Sequence, residues 1–229
     1  EALSDQELAD LTYPTPTDPT FALDFDTIAT DFTFARGSEA TYVDAQGLIQ
    51  STATNTPRLD YSTGAEAFLL EPQTTQLLPY SEDFSQWIAG GDTTIESGYL
   101  APDGTNNAYK VSGTSNALVL GASLLTTTTT RSIYARTVSG TGQAHLCSFN
   151  GNSNNLFTIT EQWQRFEVNS ATTTGVVNFY AVDFRNQTNL SEIILWGANA
   201  TNDQAYATSY IPTLGTTVTR NQETCINAT

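Results

Sequence analysis

The chain has 229 residues, long enough to bury a core as one large β-sandwich or two small β modules. Hydrophobic residues make up 39%, with ten Tyr, eleven Phe and three Trp, a content that excludes a disordered chain. The 24 acidic residues outnumber 8 basic ones, and the net charge of -16 repels a phosphate backbone and argues against nucleic acid as a partner.

Only 14% of residues are charged, while Thr, Ser, Asn and Gly abound, a composition that suits half-exposed strands and tight turns more than helices. No run approaches the ~20 apolar residues of a membrane span, so membrane insertion is not expected. Methionine is absent, so Glu1 is expected to be a processed or trimmed start, or a cut from a longer polypeptide.

At the N-terminus, Ser4 and Glu7 form a capping box before Leu8 and Leu11, which predicts a short helix. Pro14, Pro16 and Pro19 follow in an extended linker, so residues 1–20 read as an arm. From Phe21 short alternating runs predict strands, and ATYVD and GLIQS form a hairpin closed by Gly47 at positive φ. The prolines at 57, 72 and 79 mark connecting chain, placing a smaller N-terminal β unit over residues 21–77. Eight runs then follow from 78 to 229: NAYKVSG, NALVLGASLL, RSIYART, AHLCSFN, LFTIT, WQRFEVN, VVNFYAVDF and SEIILWGAN. Eight short strands with turn residues between them predict an all-β, lectin-like or carbohydrate-binding-module-like jelly-roll sandwich.

Three ordered blocks, FARGSEATYVDAQGLIQSTATNTPRLDY, FLLEPQTTQLLPYSEDFSQW and ATSYIPTLGTTVTR, carry a resemblance across residues 34–220. The chain resembles phage and prophage virion surface proteins: head-fibre, spike or tail-fibre domains with carbohydrate-binding-module-like folds. The resemblance implies a structural protein on the virion surface, adhering to host surface polysaccharide. It also implies homo-oligomerisation, most often as a trimer, and here the arm is expected to attach to other virion proteins. Within the blocks, Phe84 and Trp87 are spaced to pin the second β unit into its core, with Ser81 and Asp83 satisfying turn groups. Tyr210 and Ile211 are expected to close the last strand, which Pro212 ends.

Catalytic chemistry finds little support. His145 is the only histidine, and although it shares a strand face with Cys147 at i and i+2, packing explains the pair better than nucleophilic catalysis. Glu161, Glu167, Asp183 and Glu192 are candidates for a glycosidase carboxylate pair, but turn and edge roles explain them. No phosphate-loop, zincin or EF-hand motif occurs, so no cofactor is expected, although structural calcium held by loop oxygens stays open. Cys147 and Cys225 are expected to be free thiols. The sequons at Asn186, Asn189, Asn199 and Asn227 read as chance in an Asn- and Thr-rich chain.

Sugar binding by a jelly roll needs an aromatic ring against the sugar's C–H face beside planar polar groups. If one sheet carries such a site, alternation places Tyr134 with Arg136, and Asn178 with Tyr180, on shared strand faces. Trp87, Trp163 and Trp196 read as core anchors. The rival to a virion protein is a carbohydrate-binding module or catalytic domain of a polysaccharide-degrading enzyme.

Overall fold

The computed structural model describes residues 32–125, 128–148, 155–172, 177–186, 188–202 and 204–227. The arm expected over residues 1–20 and the strand run expected from Phe21 to Asp26 lie outside them. The N-terminal strands are short: β1 (Phe32–Ala35), β2 (Ala40–Val43), β3 (Ile49–Thr52), β4 (Leu59–Asp60), β5 (Ala67–Phe68) and β6 (Thr74–Gln76). A 3-10 turn at Phe84–Gln86 leads into β7 (Ile88–Gly90), β8 (Thr94–Tyr99), β9 (Ala108–Ser112), β10 (Leu118–Leu125) and β11 (Thr128–Arg136). Next come β12 (Gly142–Ser148), β13 (Leu156–Ile159), β14 (Gln164–Thr172), β15 (Val177–Asp183) and β16 (Glu192–Thr201), then β17 (Val218–Arg220) and β18 (Thr224–Asn227).

Two five-stranded antiparallel sheets stack as a jelly-roll sandwich. One has the order β13-β12-β15-β10-β7 and the other β14-β11-β16-β9-β8, so the chain crosses repeatedly between layers. All eight runs expected after residue 78 are strands. Phe179, Leu146 and Val119 of the first sheet meet Ile133, Leu195 and Phe166 of the second in one apolar core. Trp87 stands edge-on to Phe179 at 5.7 Å, and Phe84 lies 5.0 Å from Trp87. Each such side chain contributes about 1.5–3 kcal/mol by leaving water. The expected roles of Phe84 and Trp87 are met, and Asp83 accepts from the Ser85 amide at 3.1 Å.

The second sheet is covered on its outer face as well. Along β16, Ile193 and Leu195 point into the core while Ile194 and Trp196 point out, yet Ile193 through Thr201 are all buried. The cover is the pair of hairpins β2–β3 and β4–β5, whose Ile49 joins Ala101, Ala108, Ile194, Trp196 and Tyr210 in a second apolar cluster. The expected β2–β3 turn forms with Gly47 at φ 80°, and Asp44 accepts from the amides of Gln46 and Leu48. Gly197, at φ 62°, bulges β16; a Cβ there would lie 3.3 Å from the Tyr134 ring.

Ala35–Thr224 is one compact unit, so the division expected at residues 77 and 78 runs through it. Leu78 is a core residue, and β6 pairs with β17 from the far end of the chain. The other unit holds the chain's two ends, and its described strands β1 and β18 pair with each other. Tyr210 and Ile211 are buried but belong to no strand; the Tyr210 ring joins the cluster around Trp196, and the Thr41 hydroxyl donates to the Tyr210 carbonyl. Cys147 and Cys225 are free thiols.

The face expected to be shared by His145 and Cys147 is not kept. Cys147 takes φ 52°, so its side chain joins Ala144 and Leu146 in the core, while His145 Nε2 meets the Asn186 carbonyl at 2.8 Å. Burial pushes the Cys147 thiol up to about 12, which leaves it a protonated packing group.

Candidate functional site

The hairpin cover holds a buried ionic cluster built from residues of the three sequence blocks and from Glu223, just beyond the last. Glu223 takes a bidentate bond from Arg58, at 2.8 Å from Nε and 2.6 Å from Nη2, and a third from Arg36 Nη1 at 2.7 Å. Glu71 Oε2 accepts from Arg58 at 2.8 Å, from Arg220 at 2.7 Å and from the Ser209 hydroxyl at 2.6 Å. The three arginines are 0–1% exposed. Other donors reach backbone carbonyls, including Ala53 from Arg36, Thr41 from Arg58 and Pro72 from Arg220, while Arg58 and Arg220 also donate to the Ser209 hydroxyl and Arg220 Nε has no hydrogen-bond partner. Burial pushes the Glu71 carboxyl up, but Arg220, Arg58 and the Ser209 bonds outweigh it and hold the group below its ordinary value. These contacts tie the hairpins to the chain around residues 209 and 220.

Between the hairpins and the outer face of the second sheet opens a groove of about 650 Å3. Its floor is β11 and β14, where Tyr134 faces Arg165 in register and the guanidinium lies 5.7 Å above the ring. Arg165 and Glu167 point outward because Phe166 and Val168, between and beyond them, point into the core. Trp163, just ahead of β14, supplies a half-buried indole that Arg136 stacks against at 5.4 Å. The opposite wall brings Tyr42, Asp60, Tyr61 and Ser62, with Ser209 and Tyr210 closing one side. Asp60 is fixed by the Val43 amide at 2.8 Å and by the amide and hydroxyl of Ser62. Aromatic rings, carboxylates and hydroxyls thus converge on one mixed cavity, the composition of a small-molecule or saccharide site.

A smaller cavity of about 300 Å3 lies between Glu82, Asp83, Asn107, Tyr109 and the Pro212–Leu214 segment. Burial, with the Asp103 carboxylate nearby, pushes Glu82 above its ordinary value, and its oxygens already accept from Tyr210 and Asn107 at 2.8 Å. Among the described residues no group of three or more His, Cys, Asp or Glu could hold a metal ion.

No family model matches the chain, and no curated protein matches it. Solved structures do. The family 11 carbohydrate-binding module of Clostridium thermocellum, in complex with a β-1,3-1,4-mixed-linked tetrasaccharide, is 14% identical over 62% of this chain and 97% of its own, with a TM-score of 0.35. The CBM22-1 and GH10 modules of a Clostridium thermocellum endo-1,4-β-D-xylanase, complexed with xylohexaose, are 12% identical over 57% of this chain and 28% of theirs, with a TM-score of 0.36. An exo-β-1,3-galactanase from Phanerochaete chrysosporium, with β-1,3-galactotriose, is 15% identical over 65% of this chain and 37% of its own, with a TM-score of 0.35.

Of the residues expected to bind sugar, Tyr134 lines the groove and Arg136 touches it through Trp163. Asn178 and Tyr180 lie on β15, in the other sheet, so the two pairs do not form one site. Tyr180 is buried and carries the Arg185 guanidinium 5.6 Å above its ring. Trp87 and Trp196 are core anchors as expected, whereas Trp163 is a groove residue. Among the candidate carboxylates, Asp183 is held by Arg185 at 2.6 and 2.8 Å, Glu161 accepts from the Gly140 amide, and Glu167 faces the groove. Tyr42, Asp60, Tyr61 and Arg165 were not singled out by the sequence; only their alternation with apolar neighbours marks Tyr42 and Arg165 as outward-facing.

Proposed function

We propose that this protein is a glycan-binding jelly roll carried on the surface of a bacteriophage particle, as a head fibre, spike or tail fibre, and that it adheres to host surface polysaccharide. The observation that carries the binding part is the groove itself, where Trp163, Tyr134 and Tyr61 surround fixed carboxylates and hydroxyls. Rings take the C–H faces of sugars, and carboxylates accept from their hydroxyls in pairs. The virion part rests on the resemblance of the three sequence blocks, with residues 1–20 attaching the body to other virion proteins and a trimer supplying avidity.

The same groove would serve a carbohydrate-binding module of a polysaccharide-degrading enzyme, and location separates the two readings. Antibody labelling of particles, with mass spectrometry of purified virions, should find the chain on the particle surface. Its absence from virions, together with secretion beside a polysaccharide-degrading activity, would favour the module.

A further inference from the structure

The charges in and behind the groove wall narrow the ligand. Among the described residues lining it, Arg165 is the only cation, against Asp60, Glu71 and Glu167. Glu71 is already spent on Arg58 and Arg220 behind the wall. Arg165 is largely engaged as well: both Nη2 protons are taken, by the Ser132 hydroxyl at 2.9 Å and the Thr208 carbonyl at 2.6 Å, its Nη1 faces Glu167 at 3.5 Å, and its Nε, without a hydrogen-bond partner, is buried. Counting the cluster behind, Arg36, Arg58, Arg165 and Arg220 meet Asp60, Glu71, Glu167 and Glu223, four guanidiniums against four carboxylates.

We infer that the groove takes uncharged saccharides and rejects acidic ones, and that Glu167 sets this selectivity by occupying Arg165. An acidic sugar entering the groove would meet the Asp60 and Glu167 carboxylates and find no guanidinium free to make the bidentate pair that binds carboxylates well. A neutral sugar offers hydroxyl donors, which those carboxylates accept. Arg136, which stacks on Trp163 without lining the groove, is the remaining nearby cation. The inference rests on the groove being the glycan site, and Glu167, exposed on β14, can be changed without opening the core.

The test is a glycan array carrying neutral and uronate-containing oligosaccharides, followed by calorimetry on the intact chain and on Glu167→Gln and Trp163→Ala. The intact chain should bind neutral members only, Trp163→Ala should lose that binding, and Glu167→Gln should gain affinity for uronate members by about fivefold. Tight uronate binding by the intact chain that Trp163→Ala abolishes would overturn the selectivity and leave the groove as the site. No gain in Glu167→Gln would overturn the role of Glu167. Binding to no glycan, or binding that Trp163→Ala leaves intact, would overturn the groove reading and the inference with it.

Discussion

Two interiors of this molecule are built on different physics. Between the sheets the core is apolar and interlocked, and the buried Arg131 donates to the Thr129 hydroxyl and the Ser148 carbonyl. Burial lowers that guanidinium to about 10. Beneath the hairpins, burial is organised around three arginines and two glutamates, with apolar packing confined to the cluster around Trp196. In the first arrangement a truncated side chain costs its lost burial and a void that neighbours fill only in part. In the second a buried ion left without its partner keeps the whole cost of desolvation. The sandwich core therefore fixes the fold, while the ionic cluster fixes where the hairpins stand and hence the shape of the groove.

The comparison can be broken most sharply at Glu223. Glu223→Ala removes the carboxylate that Arg36 and Arg58 share, although Arg58 keeps Glu71, and its loss of stability in denaturant should reach the upper end of the roughly 3–5 kcal/mol typical of a broken buried pair. Leu146→Ala, in the apolar core, should cost less, about 3 kcal/mol. Equal or reversed costs would remove the distinction between the two interiors.

Acid should act on the ionic interior first. Glu71 is held below its ordinary value in the folded chain, so its contribution is whole above the unfolded carboxylate pKa and is lost as pH falls through the lower folded value. Thermal melts below the ordinary carboxylate range should show the loss in the intact chain, and Glu71→Gln should start lower and fall less steeply. A smaller effect is expected at the hairpin turn. Gly47 sits at φ 80° with open space around its Cβ position, so Gly47→Ala should cost only backbone strain, about 1 kcal/mol in chemical denaturation.

The sandwich was legible in the sequence because its strands are long and alternate. The same signal fails for β8, whose TIESGY is mostly exposed, and for β4, β5 and β17, which have two or three residues each. Part of the candidate groove was legible too: Tyr134 and Arg136 share one face of β11, as alternation required, and Tyr134 lines the groove. Asn178 and Tyr180 were misplaced because alternation assigns a face of a strand without saying which sheet it joins. Trp163 reads as core in the sequence because a large aromatic is most often buried, whereas it stands half-buried on the groove. The ionic cluster left a trace that went unread: only eight basic residues offset 24 acidic ones, and three of them, Arg36, Arg58 and Arg220, fall in the quoted blocks, with Glu71 in FLLEP. Scarce cations inside apolar blocks are candidates for buried pairing, but their partners, up to 187 residues away, cannot be read from spacing.

The most direct test of the central claim separates binding from stability at Trp163. This residue is half-buried on the groove and outside both ion cluster and sandwich core, so Trp163→Ala should leave the melting transition within a few degrees of the intact chain. Titration of a glycan identified on the array, followed by calorimetry, should then show affinity reduced at least about tenfold, in line with the roughly 1–3 kcal/mol that one aromatic platform supplies elsewhere. Undiminished affinity in a folded Trp163→Ala protein would show that the groove is not where glycan binds.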